Sequence, residues 1–259
     1  MLNIINVNSI PVFLLILVRV SAFFVTLPLF SYRTIPGHFK IGFSFFLSLI
    51  IFYTVDVTVI EIDGTYILLV LKEAMVGLLV GLIAYILLSA IQIAGGFIDF
   101  QMGFAIANVV DPQTGAQSPL MGQYFYIIAL LFLLSVNGHH LLIDGIYNSY
   151  QFISIDAFIP FQNGSIADFV IDTFNKMFLI AFQMAIPIVG CLFLVDVALG
   201  IIARTVPQLN VFVVGLPLKI LVSFMAIFIF LSLYVSLVNR LFESMFKVMR
   251  QLMQLFGGA

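Results

Sequence analysis

YILLVLKEAMVGLLVGLIAYILLSAIQIA, running from Tyr66 to Ala94, carries only Lys72 and Glu73 as charges and exceeds the ~20 apolar residues that cross a bilayer. It reads as a membrane helix, and that reading decides the fold. Gly77 and Gly81 lie four apart within it. Small residues at that spacing let two helices approach closely; ordinary membrane glycine is the alternative. The whole chain is of the same kind. Apolar residues make up 63% and charged residues 8%, whereas a soluble domain has about 25% charged residues. A soluble protein with a large core is the competing reading, but long uncharged runs point to a bilayer.

Five further apolar segments flank this run, and the expected class is all-α: a polytopic membrane protein of about six long, partly kinked helices arranged as hairpins. Ile10 to Phe30 is the first, with Ser9 as its cap and Pro11 in its first turn, where a missing N–H costs little. No Lys or Arg precedes it, so it is expected to be a retained helix and not a signal peptide. Ile41 to Val55 is short for a span. Tyr124 to Val136 follows a stretch from Gly95 to Gln123 rich in Gly, Pro and polar residues. Asn137-Gly138-His139-His140 then opens an expected loop to about Gly164. Ser165 with Asp168 matches a helix start, and that helix is expected to reach Arg204 with a kink at Pro187. Val211 to Val238 carries Gly215 and Pro217 near its start. The tail from Arg240 to Phe256 alternates polar and apolar faces at helical spacing, with Leu241, Met245, Met249, Leu252 and Phe256 on the apolar one.

Charge limits the chemistry. Net charge is −2, so no overall basic field draws nucleic acid. P-loop, HExxH and GxSxG patterns are absent. Cys191 is the single cysteine; it can form no internal disulfide and reads as a small buried hydrophobe. His139, His140 and Asp144 suggest a metal or acid–base site, but zinc needs three or four ligands and only His38 remains among the histidines. We therefore expect no enzyme activity, metal or cofactor.

Basic residues orient the spans. Arg33 and Lys40 put the first loop in the cytoplasm, and Arg204 with Lys219 does the same for the last turn. Asp56, Glu61 and Asp63 leave the second loop without a basic residue. Strict alternation then places the C-terminus outside, yet Arg240, Lys247 and Arg250 favour the inside. Either one hairpin does not cross, or packing in a protein assembly overrides the rule.

Unusual residues gather in two places. Between Phe97 and Pro119, Asp111-Pro112 disfavours helix, and Gly103, Gly115 and Pro119 add breaks. Irregular backbone at membrane depth is tolerated only inside protein or along a water-filled cavity, so this stretch is an extramembrane loop or a pore-lining element. Asp196 and Arg204 interrupt an apolar helix, roughly 12 Å apart along it, which is too far to pair directly; partners on other helices are expected. Arg19, Lys72 and Glu73 are either packing charges or proton relays.

Three stretches together resemble the FliR/SctT family of type III secretion export-gate proteins over essentially the whole chain. They are Gln101-Met102-Gly103 with Phe104, Ala107, Asp111-Pro112, Gly115 and Pro119; Asn137-Gly138-His139; and Asp196 to Gly200 followed by Arg204, Pro207, Gln208, Gly215, Pro217 and Lys219. The resemblance implies a subunit of the flagellar export gate, sited in the bacterial inner membrane at the flagellum basal body and needed for flagellum assembly. Its implied partners are FliP-like and FliQ-like proteins, an FlhB-like protein and the exported flagellar proteins. It also implies a single gate domain, with a FliP-like part at about 1–165 and a FliQ-like hairpin with the amphipathic tail at about 166–259. The stretch 104–119 would be the pore plug; Asp196, Arg204, Pro207, Gln208, Gly215, Pro217 and Lys219 would serve the hairpin and its contacts with partners. An injectisome gate subunit is the first alternative. A small-solute or ion transporter is the second, motivated by Asp196, Arg204 and Glu73. An intramembrane enzyme using His139, His140 and Asp144 is the third.

Overall fold

The computed structural model describes residues 9–31, 35–55, 60, 62–104, 109–110, 117–157, 165–206, 208 and 210–257. Arg33, Asp56, Glu61, Ala107, Asp111, Pro112, Gly115 and Pro207 lie outside them. Among the described residues the chain is helical apart from one short ribbon: α1 (Ile10–Thr26), α2 (Gly37–Thr54), α3 (Gly64–Met102), β1 (Val109–Val110), β2 (Gln117–Ser118), α4 (Leu120–Ser135), α5 (Gly138–Phe152), α6 (Ser165–Thr205) and α7 (Val211–Gly257). Helices α2, α3, α6 and α7 are long and apolar enough to cross a membrane, and α4 with α5 makes a fifth span if the two count as one broken helix. The all-α polytopic class is therefore the observed one.

Two compact units divide the chain, each assembled from separated stretches. The first contains residues 1–87, 136–174 and 244–259; the second contains 88–135 and 175–243.

In the first unit, α1 lies at the centre, with Leu15, Ile16, Val20 and Phe23 fully buried. Pro11 occupies its first turn as expected, but Ser9 does not cap it. Ser9 has helical backbone angles, and a capping side chain needs an extended residue to fold back on the N–H groups. Phenylalanines join α1 and the turn after it to α2: Phe13 meets Phe45 edge-on at 5.4 Å, and Phe30 of the turn stacks on Phe43 at 5.6 Å. Asp63 caps α3, accepting the backbone N–H groups of Thr65 at 3.0 Å and Tyr66 at 3.2 Å.

Gly77 and Gly81 settle the open alternative in favour of a tight contact. A Cβ on Gly77 would lie 2.2 Å from the Arg19 carbonyl oxygen, and one on Gly81 would lie 2.1 Å from Thr26 Oγ1. Thr26 Oγ1 also donates to the Leu78 carbonyl at 3.2 Å, a hydrogen bond between helices that needs this approach.

Two expectations are corrected. The loop predicted from Asn137 onward is largely the helix α5, whose buried Leu142, Ile146, Ser149 and Tyr150 fall at helical spacing. Asn137 itself breaks the chain, with φ of 57° in the left-handed region. The stretch from Gly95 to Gln123 is not irregular throughout: α3 continues to Met102 and α4 begins at Leu120. Its glycines serve packing there, since a Cβ on Gly95 would sit 2.1 Å from Gly122 Cα. The amphipathic tail is continuous with α7. Met245, Met249, Leu252 and Phe256 of its predicted apolar face are buried in the first unit, where Met249 reaches Gly145 of α5. Helix α6 runs on through Pro187, and Cys191 is half-buried.

Candidate functional site

The second unit brings three of the predicted residues together. Gln101 comes from the last turn of α3, Asp196 from α6 and Lys219 from α7. Gln101 Nε2 donates to Asp196 Oδ2 at 2.7 Å, and Lys219 Nζ pairs with Asp196 Oδ1. Asp196 therefore finds its partners on other helices, as the spacing to Arg204 required. The pair is partly open to its surroundings: the side chains are 23% exposed for Lys219 and 36% for Asp196. A carboxylate with one ammonium and one amide donor, at this exposure, forms a junction that can be remade when its surroundings change.

Local chemistry aims these groups. Gly103 ends α3 with φ of +88°, a left-handed conformation that glycine adopts without penalty. Leu216 of α7 lies 3.4 Å from where its Cβ would be. Phe104, half-buried, follows in a single tight turn, and Met102 is fully buried. Beyond it β1 and β2 pair antiparallel, Val109 with Ser118 and Val110 with Gln117. Pro119 closes the loop against Gly96, whose Cβ would meet its ring at 3.3 Å. Gly215 lets α7 approach Leu199 of α6, with 3.1 Å to its virtual Cβ. Arg204, Gln208 and Pro217 are exposed and stand outside the cluster.

Two contacts in this unit escaped the sequence reading. Asp99, 3% exposed, accepts the backbone N–H of Met121 at the start of α4, at 3.2 Å and 3.1 Å to its two oxygens. Tyr234 of α7 donates its hydroxyl to the Phe125 carbonyl at 2.8 Å. The carboxylate in an apolar run was a signal for the first; nothing in the sequence pairs Tyr234 with residue 125.

A second polar cluster lies in the first unit and is fully buried. The Arg19 guanidinium grips Glu73 with two donors, Nε to Oε2 and Nη2 to Oε1, the latter at 2.8 Å. It also donates to Ser149 Oγ at 3.0 Å and to the Ile153 carbonyl at 3.1 Å, and lies 4.0 Å over the Tyr150 ring. Lys72 contacts Glu73 at 2.8 Å and donates to the carbonyls of Ser154, Ile155 and Ala157 at 2.8, 2.8 and 3.1 Å. Every strong donor has an acceptor, so the geometry is that of packing charges. It joins α1, α3, α5 and the chain just after α5.

His139 and His140 lie with ring centres 4.2 Å apart. Among the described residues no group of three His, Cys, Asp or Glu is placed to hold a metal ion.

Comparison with known proteins finds relatives over nearly the whole chain. The family described as bacterial export proteins, family 1, matches residues 10–245. Flagellar biosynthetic protein FliR of Bacillus subtilis (strain 168) is 58% identical over 253 residues, covering 97% of this chain and 98% of that protein. The protein of the same name from Escherichia coli (strain K12) is 26% identical over 234 residues, 90% of this chain and 89% of its own. Yop proteins translocation protein T of Yersinia pestis is 32% identical over 208 residues, 79% and 80% of the two chains.

Proposed function

The chain belongs to the bacterial export proteins, family 1, and is a membrane component of type III protein export in flagellum assembly; we propose that within this apparatus it lines and plugs the export channel. The observation that carries the proposal is the 58% identity to the Bacillus flagellar protein at nearly full length. The loop 104–119 is the plug. Gln101, just before it, donates to Asp196, which in turn pairs with Lys219, so the plug is linked to the α6–α7 hairpin by a junction that is only half-buried.

The role is not enzymatic. The chain supplies walls, a seal and a movable contact, and the energy for export comes from elsewhere. Its partners are FliP-like and FliQ-like gate proteins and an FlhB-like protein, in the inner membrane at the basal body. Exposed apolar side chains support a partnered life: Phe212 is 90% exposed and Phe228 83%, and each needs lipid or a neighbouring helix. The division into a FliP-like part and a FliQ-like hairpin belongs to the same proposal. The likeness to the Yersinia translocation protein favours a shared gate design across secretion systems, and the higher identity to the flagellar protein selects the flagellar use.

A clean deletion of the gene, scored for filament protein in the medium and for swimming, tests the role. Loss of both, restored by a plasmid copy, is expected. Normal export and swimming would overturn the flagellar role, and solute flux in liposomes holding only this chain would then establish a transporter. Deleting residues 111–115 tests the plug: the assembly should persist while the membrane leaks ions. An unchanged membrane potential would count against it.

A further inference from the structure

Helix α4 begins without a cap of its own. Its first N–H groups have no partner within the helix, and the residue before it is Pro119, which offers no side-chain acceptor. The acceptor comes instead from 22 residues upstream, where both oxygens of buried Asp99 face the Met121 N–H. Backbone contact surrounds that bond. The last turns of α3 touch the first turn of α4 at Gly95 and Gly122, where no Cβ fits, and at Gly96 and Pro119. One step further out, β1 and β2 pair. The two feet of the loop are thus fastened three times over, and Asp99 supplies the only charged group among these fastenings.

We propose that Asp99 is the positioning residue of the loop between α3 and α4: it holds the foot at Met121 against the foot at Gly103. Consequences for sealing rest on the plug role proposed above; the anchoring itself does not.

The test uses cells carrying the full set of flagellar genes, and the assembly isolated from them. Asp99→Ala removes the acceptor, Asp99→Leu does so while keeping the branched heavy-atom shape, and Asp99→Asn keeps an acceptor oxygen. Hydrogen exchange of the peptide spanning residues 117–124 is the first readout, and ion leak in the cells is the second. Loss of a cap should speed exchange about tenfold in the Ala and Leu variants, with leak approaching that of the 111–115 deletion. The Asn variant should match the wild type in both. If Ala fails to accumulate, Leu carries the measurement. Unchanged exchange in Ala or Leu, or equally fast exchange in Asn, would overturn the anchor. Fast exchange without leak, in a background where the deletion does leak, would also overturn it as a positioning residue. If the deletion itself does not leak, the plug role fails, and exchange alone decides the anchor.

Discussion

Arg19–Glu73–Lys72 and Gln101–Asp196–Lys219 use nearly the same chemistry, a carboxylate held by cationic and polar donors, yet they sit in opposite environments. The first is sealed in an apolar unit, with Arg19 and Glu73 wholly buried. The second leaves about a third of Asp196 and a quarter of Lys219 exposed. Burial decides what such a group can do. A charge taken out of water is tolerated only while every partner stays in place, so the first cluster is fixed once the unit folds. A pair that its own unit leaves partly uncovered can be remade against a neighbouring group, so the second can change during function.

That contrast breaks first at Glu73. Glu73→Ala leaves Arg19 and Lys72 buried without a counter-charge, and we expect a loss of about 3–5 kcal/mol. The chain should then fail to accumulate in the membrane, as measured by its steady-state amount and its resistance to protease. Normal accumulation would mean that the cluster is not what holds the first unit together.

Gly77→Val should come next. Its Cβ would fall 2.2 Å from a backbone oxygen of α1, and forced overpacking costs about 1–3 kcal/mol or more. Reduced abundance, with a lower apparent melting temperature in detergent, is the outcome to look for. A fully stable variant would place the α1–α3 contact elsewhere.

Asp196→Asn sharpens the comparison from the other side. Loss of a partly exposed pair costs about 0–1 kcal/mol, so abundance should stay normal while export of filament protein falls. The double variant with Asp196→Lys and Lys219→Asp should recover part of that export. A drop in abundance as large as that of Glu73→Ala would erase the distinction between the two clusters.

The smallest effect belongs to Asp63, outside the core of either cluster. The Thr65 hydroxyl, then the Thr65 and Tyr66 N–H groups, hold its carboxyl below the usual carboxylate range. A lowered folded-state value means that the group stabilises the cap above the unfolded value, near 4, and that this contribution fades as pH falls through the lower folded value. Asp63→Ala should therefore be slightly less stable than wild type at pH 7, with the gap closing in strong acid. Thermal unfolding across that range checks it, and a gap that widens in acid would refute the cap.

Much of this was legible beforehand, in an uneven way. Spans α3, α6 and α7 announced themselves through length and lack of charge. The amphipathic tail did so through its spacing, and Asp196 through the improbability of a lone carboxylate in an apolar helix. Helix α5 was hidden because Asn137-Gly138-His139-His140 reads as a loop, although Leu142, Ile146 and Tyr150 already kept helical time. Gly95 and Gly96 misled in a different way: glycine marks both a break and a close approach, and only a neighbour can tell which. Asp99 was passed over because its acceptor role needs a donor 22 residues away.

Sequence alone determined the class: a bilayer protein of long helices without sequence patterns for an enzyme, with unusual residues between Phe97 and Pro119 and a lone carboxylate at Asp196. Those conclusions follow from composition and local period, which need no partner to be read. Only the tertiary structure decided which charges are locked and which are free to exchange, which glycines are contacts, and that Asp99 closes the foot of the loop. Each of these depends on the distance between groups far apart in the chain, and on how much solvent their packing leaves around them.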